Sequence, residues 1–460
     1  MTRDPPHTQK SSSASLVPIL LTLLGLASLV FYRIGIRAEG TKDIVWFLKL
    51  AGVQAVLYVA AAWLILRVRE SRSVLIIALV FAALFRLAMI FSPPYLSDDI
   101  YRYVWDGRVQ AAGINPYRYI PADPALAQLR DENIYPKINR REYARTIYPP
   151  VAEAIYFLTT RVSESVTWMK ATMVGFEAVA IWAILQLLAS FGLPRQRIVI
   201  YAWHPLVIWE FAGSGHLDAI AIAFIALALL ARRKDAMVAT GVVLAWATLV
   251  KFFPLALFPA LYKRWSWKMP VAFAVTIVVA YGPYLSVGPR LAIGFLPGYA
   301  KEQGLLSGEQ FYLLSLARKL LGANVPTAAF IIFALVLMSA MAVWALSRRG
   351  GRDSYVTPAA VLATATAVLF APHFSWYFAW LVPFLCFVPL ASLFYLTTAS
   401  FILYGSWLGD QPDQMFRLNS FLYIPFALLG AVELFAWRRR VSLAKSQLQN
   451  NPSEAMSTDQ

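Results

Sequence analysis

Residues 74–103 have the sequence VLIIALVFAALFRLAMIFSPPYLSDDIYRY. Residues 74–91 contain a single charge, and a helix needs about 20 predominantly apolar residues to span the hydrocarbon core of a bilayer. Pro93 and Pro94 end this helix because proline lacks the backbone N–H that would continue it. Asp98 and Asp99 follow at once, so the stretch predicts a membrane span that ends directly before a pair of carboxylates.

The rest of the chain has the composition of a membrane protein. Of its 460 residues, 59% are hydrophobic and 14% are charged. Soluble chains have about 45–50% apolar and about 25% charged residues. The composition therefore predicts an all-α polytopic membrane protein, with about 12–14 transmembrane helices judged by span length. Besides 74–91, the apolar stretches lie at about 16–33, 44–66, 167–189, 198–212, 217–231, 236–250, 252–262, 269–287, 326–346, 356–371, 376–390, 391–407 and 421–437.

Basic residues predict the topology. Alternate connectors hold 17 Lys and Arg against three acids, and the positive-inside rule places such connectors in the cytoplasm. The transmembrane domain then covers 16–437 between cytoplasmic tails at 1–15 and 438–460, and its first run is an uncleaved anchor because it lacks a small-x-small cleavage site. The large connectors 92–150 and 288–325 fall outside the cell. The net charge of +16 is thus a topological feature that requires no nucleic acid, and the pattern favours a bacterial inner (plasma) membrane.

The connector 92–150 is predicted to contain a helix of about 15 residues that lies on the membrane surface. Ser97 is suited to the N-cap and Gly113 to the C-terminal cap of this helix. The side chains expected to face lipid are Ile100, Val104 and Trp105. The opposite face, spaced i, i+3, i+4 and i+7, carries Asp99, Arg102, Tyr103 and Asp106.

The acid pair allows two interpretations. In the first, Asp98 and Asp99 are helix-cap carboxylates paired with Arg102. In the second, one of them takes the proton from an attacking hydroxyl, which contributes about 10²–10⁴ in rate. The other carboxylate would then orient the acceptor, raise the pKa of its neighbour or hold a divalent metal.

Four stretches of the chain resemble a known enzyme family. They are Ser97–Tyr103 with Gly113–Tyr117 and Ile147–Pro150, His204–Glu210 leading to Gly215–Asp218, Leu249–Pro254, and Pro372–Tyr377. In this order they resemble the GT-C-fold membrane glycosyltransferases, specifically the polyprenyl-phosphate-dependent mannosyltransferase-like group (glycosyltransferase family 87 type). The resemblance implies a GT-C-type helix bundle with an extracytoplasmic active site. It also implies a catalytic role for Asp98 or Asp99, a sugar–phosphate–polyprenol donor and an inverting transfer.

Lys251 is the strongest candidate for binding the donor phosphate. It lies at a turn in otherwise apolar sequence, on the side opposite the cytoplasmic basic clusters. Snorkelling of its ammonium group to the interface is the alternative. Arg102, Arg108 and Arg145 compete for the role of phosphate ligand.

Further polar and aromatic residues at the same predicted face are candidates for substrate binding. Polar groups so close to hydrocarbon usually face a cavity, although a capped helical hairpin or an interfacial aromatic belt would also explain them. The candidates are Tyr103, Asp106, Glu210, His216, Asp218, His373, Trp376 and Tyr377.

The sequence therefore predicts a hexosyltransferase, with mannose as the preferred sugar, that uses an aspartate as general base. Its partners would be a polyprenyl-phosphate-linked sugar, a glycan or lipid acceptor on the extracytoplasmic side, and the bilayer. No cofactor is assigned, although the acid pair could hold a divalent metal. A polytopic transporter or lipid flippase is the alternative, but internal repeats and charges near the bilayer midplane, which would indicate one, are not apparent in the sequence.

Overall fold

The computed structural model describes residues 12–37, 43–94, 96–322, 324–348, 355–371, 373–409 and 413–450. Within these ranges the chain is helical and contains no strand, which confirms the predicted all-α polytopic fold. Most of the predicted N-terminal tail, the end of the C-terminal tail, Arg349, Arg352 and Pro372 lie outside the described residues.

Fourteen α-helices of nine or more residues form the framework of the described ranges. They are α1 (Ser12–Arg37), α2 (Ile44–Leu66), α3 (Arg72–Ile90), α4 (Asp99–Ala111), α5 (Pro150–Thr160), α6 (Val166–Ser190), α7 (Asp218–Arg233), α8 (Met237–Val250), α9 (Lys268–Tyr281), α10 (Tyr312–Leu321), α11 (Thr327–Ser347), α12 (Val356–Phe370), α13 (Ala391–Ala399) and α14 (Gln414–Asn450).

Shorter helical pieces connect them. Those of 3-10 type are Pro124–Leu129, Tyr135–Lys137, Arg195–Ile198, Phe253–Leu257, Gly282–Val287, Ser375–Leu381 and Ser400–Leu408. Short α-helical turns are Val199–Ala202, Pro205–Val207, Phe258–Leu261, Pro289–Ala292, Leu296–Glu302 and Val382–Leu385, and one π-helix covers Ile208–Gly213.

Seven helices in the described ranges are long and apolar enough to cross a membrane alone. They are Leu16–Arg37, Ile44–Leu66, Arg72–Ile90, Val166–Ser190, Lys268–Val287, Thr327–Ser347 and Gln414–Arg440. Other predicted spans are short or broken. The stretch 198–212 breaks after Trp203, because Pro205 cannot donate a hydrogen bond to the preceding turn, and His204 caps the piece that follows.

Helix α4 begins close to the predicted position. Asp98 is its N-cap residue, one position later than expected. The Ser97 hydroxyl still accepts a hydrogen bond from the Asp99 backbone N–H, at 3.2 Å. Both carboxylates therefore lie at the first turn, where the helix dipole favours negative charge.

The expectation that α4 exposes an apolar face to lipid was wrong. Ile100, Val104 and Trp105 are at most 1% exposed. The connector folds back over the helix, and the Tyr135 ring lies 5.6 Å from that of Trp105. On the other side, the backbone at Gly215 packs directly against Ile100. The connector thus buries α4 within the protein and fixes its first turn.

Two predicted basic connectors lie side by side. Lys263 Nζ is 2.6 Å from Asp235 Oδ2, which joins the connector after α7 to the one before α9. Segment 236–262 therefore leaves this end of the molecule and returns to it, as the charge pattern predicts. Lys251, at the C-terminal end of α8, lies at the far turn.

Candidate active site

Asp98 and Asp99 line a cavity of about 1110 Å³. Pockets for small ligands usually measure about 300–1,000 Å³, so there is room for a sugar phosphate together with part of a second substrate. Segments that are distant in sequence form the walls. They are the start of α4, the connector at 139–149, His216 and Leu217, the end of α8, the helix Leu296–Glu302, and Phe374–Tyr377 with Trp407.

Asn139 holds the two carboxylates in place. Its Nδ2 donates to Asp98 Oδ1 at 2.9 Å and to Asp99 Oδ1 at 2.6 Å. Ionised carboxylates only accept hydrogen bonds, so this arrangement fixes the orientation of the amide. Arg102 binds Asp106 instead, so the predicted pairing of the acid pair with Arg102 was wrong, whereas Asp98 does occupy the N-cap position.

The two carboxylates have different surroundings. Asp98 is exposed, whereas Asp99 is half-buried against the cavity wall. Burial raises the pKa of Asp99 and the nearby Asp98 charge raises it further, while the hydrogen bond from Asn139 and the charges of Arg140 and Lys251 lower it. The net pKa of Asp99 is raised above its ordinary value. A carboxyl group shifted in this direction is suited to accept a proton.

Lys251 projects into the same cavity from the end of α8. Its Nζ is 2.8 Å from each carboxylate oxygen of Asp218 and 3.9 Å from the centre of the Tyr377 ring. The Asp218 side chain is 4% exposed. The ammonium group is thus held by a buried carboxylate and an aromatic face, so snorkelling does not describe its position.

The turn between the π-helix and α7 carries His216 into the cavity. Gly215 adopts φ = +80°, which favours glycine, and a Cβ there would lie 2.3 Å from Ile100 Cδ1. The hydroxyl of Ser214 accepts a hydrogen bond from the Leu96 backbone N–H at 3.2 Å. The turn is therefore attached to the segment that precedes the acid pair.

A buried polar group lies behind His216. Glu210, in the π-helix, accepts a hydrogen bond from the Tyr404 hydroxyl at 2.7 Å. Its other oxygen is 3.4 Å from His216 Nε2. The His216 ring stacks on Trp376, with 4.2 Å between ring centres. Glu210 lies outside the cavity lining, close to the His216 ring but without a hydrogen bond to it.

Aromatic side chains form one wall of the cavity. Phe374 and Trp376 stack, with ring centres 4.4 Å apart, and Tyr377 faces Lys251. The Tyr377 hydroxyl is 2.9 Å from that of Tyr299. Among the predicted aromatic-segment residues, Trp376 and Tyr377 line the cavity, whereas His373 lies outside its lining.

Several predicted residues on α4 support the connector and lie outside the cavity lining. Arg102 Nε is 2.8 and 2.9 Å from the two oxygens of Asp106, and Arg102 Nη1 donates to the Ala144 carbonyl at 3.1 Å. The Tyr103 ring stacks on Tyr156, with ring centres 4.6 Å apart. These residues brace the connector beneath the acid pair.

Two predicted arginines are also engaged elsewhere. Arg108 is 2.8 Å from both Asp131 and Glu164, and Arg145 Nε donates to the Arg118 carbonyl at 3.0 Å. Neither lines the cavity.

The cavity lining includes four residues that were not predicted from the sequence: Asn139, Arg140, Tyr299 and Glu302. Arg140 Nε is 2.7 Å from Glu302, so this ion pair links the acid-pair connector to the second large connector. No local spacing marks these residues. Only Asn139 and Arg140 could have been suspected from the sequence, because they are adjacent polar residues in the connector 92–150, which was already predicted to lie on the same side of the membrane as the active site.

The acid pair presents few metal ligands. No group of three His, Cys, Asp or Glu side chains that could hold a metal occurs in the described ranges. Mg²⁺ and Ca²⁺ require six or more ligands, mostly oxygens, and an N–H donor from Asn139 lies between the two carboxylates. A cation bridging them would have to displace that amide.

Comparison with known families gives a match over more than half of the chain. The family model described as "Alpha-(1->6)-mannopyranosyltransferase, N-terminal domain" matches residues 27–267. This stretch contains the acid pair, Asn139, His216 and Lys251, and it ends before Tyr299 and the aromatic segment. No curated protein matches the chain.

Proposed function

The chain belongs to the alpha-(1->6)-mannopyranosyltransferase family, and from this membership we propose that it transfers mannose from a polyprenyl-phosphate carrier to a hydroxyl of an extracytoplasmic glycan or lipid. The enzyme would have the GT-C architecture. The observation that carries the proposal is the convergence of the acid pair, Lys251 and Arg140 on one cavity.

Asp99 is the better placed general base. The acceptor oxygen attacks the anomeric carbon, the bond from that carbon to the phosphate oxygen breaks, and the anomeric configuration is inverted. Asp99 takes the hydroxyl proton as the new bond forms. Its raised pKa supports this role because a more basic carboxylate accepts the proton more readily. The charge of Asp98 raises the pKa of Asp99, and the hydrogen bond from Asn139 orients its carboxylate.

Lys251 and Arg140 are the candidates to stabilise the departing polyprenyl phosphate, which gains negative charge as the bond breaks. An ammonium group has three N–H donors, and the two contacts of Lys251 with Asp218 leave one for a phosphate oxygen. Phe252, Leu305 and Trp407 supply apolar lining suited to the first isoprene units. A cavity with both polar and apolar walls fits a lipid-linked sugar.

The proposal is tested by incubating purified protein in nanodiscs with radiolabelled polyprenyl-phosphate sugars and a glycolipid extract. Release of polyprenyl phosphate is measured for wild type and for Asp98→Asn, Asp99→Asn and Lys251→Ala variants. Lys251→Ala alone leaves Asp218 buried without its partner, which is strongly destabilising. The double variant Lys251→Ala/Asp218→Asn therefore separates loss of chemistry from loss of folding.

Lys319→Ala is the matched control, because Lys319 also pairs with an aspartate, Asp413, at 3.0 Å, but lies outside the cavity. We expect turnover with the mannosyl donor, its loss in Asp99→Asn, and its retention in Lys319→Ala. Full turnover by Asp99→Asn would remove the base assignment. A transporter would bind the lipid and release no polyprenyl phosphate.

A further inference from the structure

A second cavity lies at the opposite end of α8 from Lys251. Its volume is about 860 Å³, and it is lined by the connectors that precede α8 and α9 and by the first turns of both helices. Both connectors belong to the basic set that the positive-inside rule predicts to face the cytoplasm. The two cavities share no lining residue, so this one is separate from the candidate active site.

The second cavity is positively charged. Lys263, Arg264 and Lys268 line it together with one acid, Asp235. Lys263 and Asp235 form an ion pair at 2.6 Å, and Arg232 Nη1 lies 3.9 Å from the other oxygen of Asp235. Arg264 and Lys268 have no ion-pair partner within the described part of the chain, so three cations minus one carboxylate leave two net positive charges.

The mouth of this cavity has the character of a membrane interface. Trp265 is 84% exposed and Trp267 is 69% exposed. Two large aromatic side chains this exposed would be unfavourable in water, whereas tryptophan is enriched where headgroups meet hydrocarbon. We therefore expect the cations to lie at the depth of lipid phosphates.

Exposed apolar stripes run from the cavity along both helices. On α8, Val238 is 54% and Trp246 is 39% exposed, and half-buried Val242 lies between them. On α9, Val275 is 54% and Val278 is 71% exposed. Because i and i+4 positions share a helix face, these residues offer continuous apolar surface for acyl chains.

The two helices are in close contact beside the cavity. A Cβ on Gly241 of α8 would lie 2.4 Å from the Met269 carbonyl oxygen of α9, so the backbones are in contact there. The cavity is thus a shallow, open recess with charged side chains along its walls and exposed apolar helix surface beside it.

We propose that this recess binds the phosphate of an anionic glycerophospholipid, held by Arg264 and Lys268 with its acyl chains along the α8 and α9 stripes. Free phosphate would satisfy the charges but leave the stripes without a ligand. The bound lipid would stabilise the packing of α8 against α9. Lys251 lies at the other end of α8.

The test measures lipid retention by native mass spectrometry of the full chain released from detergent, with phosphatidylglycerol and phosphatidylcholine offered in equal amounts. Arg264→Gln/Lys268→Gln is compared with Arg438→Gln/Arg440→Gln, which removes the same charge from the end of the apolar part of α14, Gln414–Arg440. Each cation near a lipid surface contributes about 1 kcal/mol, so losing two should weaken phosphatidylglycerol retention by roughly tenfold to thirtyfold. Arg438 and Arg440 belong to the same basic set, so the control pair reports the loss of general surface charge, and the cavity pair should weaken retention clearly more than the control pair does.

Two further arms make the result decisive. The melting temperature is measured with phosphatidylglycerol and with inorganic phosphate, and the lipid should stabilise wild type more than it stabilises the cavity variant. Equal stabilisation by inorganic phosphate would overturn the lipid assignment. Equal retention of both lipids by wild type, or unchanged retention by the cavity variant, would show ordinary boundary lipid. Ala239→Trp, which places a bulky side chain in the lining, should reproduce the loss without changing charge.

Discussion

Asp98 and Asp99 line the same cavity, but Asp98 is exposed and Asp99 is half-buried. We therefore expect the two carboxylates to have different roles. Asp99 must be ionised to act as a base, and its pKa is raised by burial and by Asp98. We therefore expect activity to fall on acidification at a pH above the ordinary aspartate pKa of about 3.9.

Asp99→Asn should lower kcat by about 10²–10⁴. Asp98→Asn should retain turnover and move the acid limb of the pH profile to lower pH, since a like charge is removed.

These profiles are measured as kcat/KM against pH with saturating acceptor. A larger loss in Asp98→Asn than in Asp99→Asn would exchange the two roles.

Asn139 is predicted to act on the reaction through Asp99. Its hydrogen bond stabilises the ionised carboxylate, so Asn139→Ala should raise the Asp99 pKa and shift the acid limb to higher pH. Gln128→Ala is the control, because it removes an exposed amide from the same connector outside the cavity. A lower kcat with an unmoved pH profile in Asn139→Ala would mean that the amide only supports the loop.

At the scale of elements, the turn at Gly215 determines how α4 meets α7. A non-glycine residue at φ = +80° costs about 1–2 kcal/mol, and a Cβ there would also displace the buried Ile100 side chain. Gly215→Ala should lower the melting temperature and reduce kcat, because both His216 and the first turn of α4 depend on this contact. In Gly52→Ala, a helical position whose Cβ meets no atom within 4 Å, the melting temperature should be unchanged or higher. Wild-type stability in Gly215→Ala would show that the contact is adaptable.

The helix Leu296–Glu302 is held against the acid-pair connector by the Arg140–Glu302 ion pair, whose side chains are 27% and 26% exposed. Arg140 cannot bind Glu302 and a donor phosphate equally well, so Glu302→Gln should lower the KM for the lipid donor. A partly exposed pair contributes about 0–1 kcal/mol, which limits the change to roughly fivefold. Arg140→Gln should raise that KM.

The matched control for Glu302 is Glu142→Gln, whose arginine partner, Arg141, lies in the same connector but outside the cavity. A raised KM in Glu302→Gln would indicate that the carboxylate binds the substrate itself.

At the scale of the whole molecule, the helical membrane fold could be predicted from short stretches of sequence. The contacts between residues far apart in the chain could not. Apolar length and charge bias are properties of short windows, so the fold class and the paired basic connectors could be predicted. Asp98 and Asn139 are 41 residues apart, and Arg140 and Glu302 are 162 residues apart. Such pairings depend on how helices pack. The burial of α4 escaped prediction for the same reason, since the connector that covers it has no pattern of its own.

Sidedness is the prediction on which the choice of donor depends. Cys386 is the single cysteine of the chain and is fully buried, so a Cys386→Ala background allows labelling at chosen sites. Gln128→Cys and Ser307→Cys test the two large connectors, and Ser73→Cys tests the basic end near α3. In intact cells a membrane-impermeant maleimide should label the first two, and Ser73→Cys should react only after permeabilisation. The reverse pattern would place the acid pair on the cytoplasmic side, where soluble nucleotide sugars are available, and the argument for a lipid-carried donor would lose its topological basis.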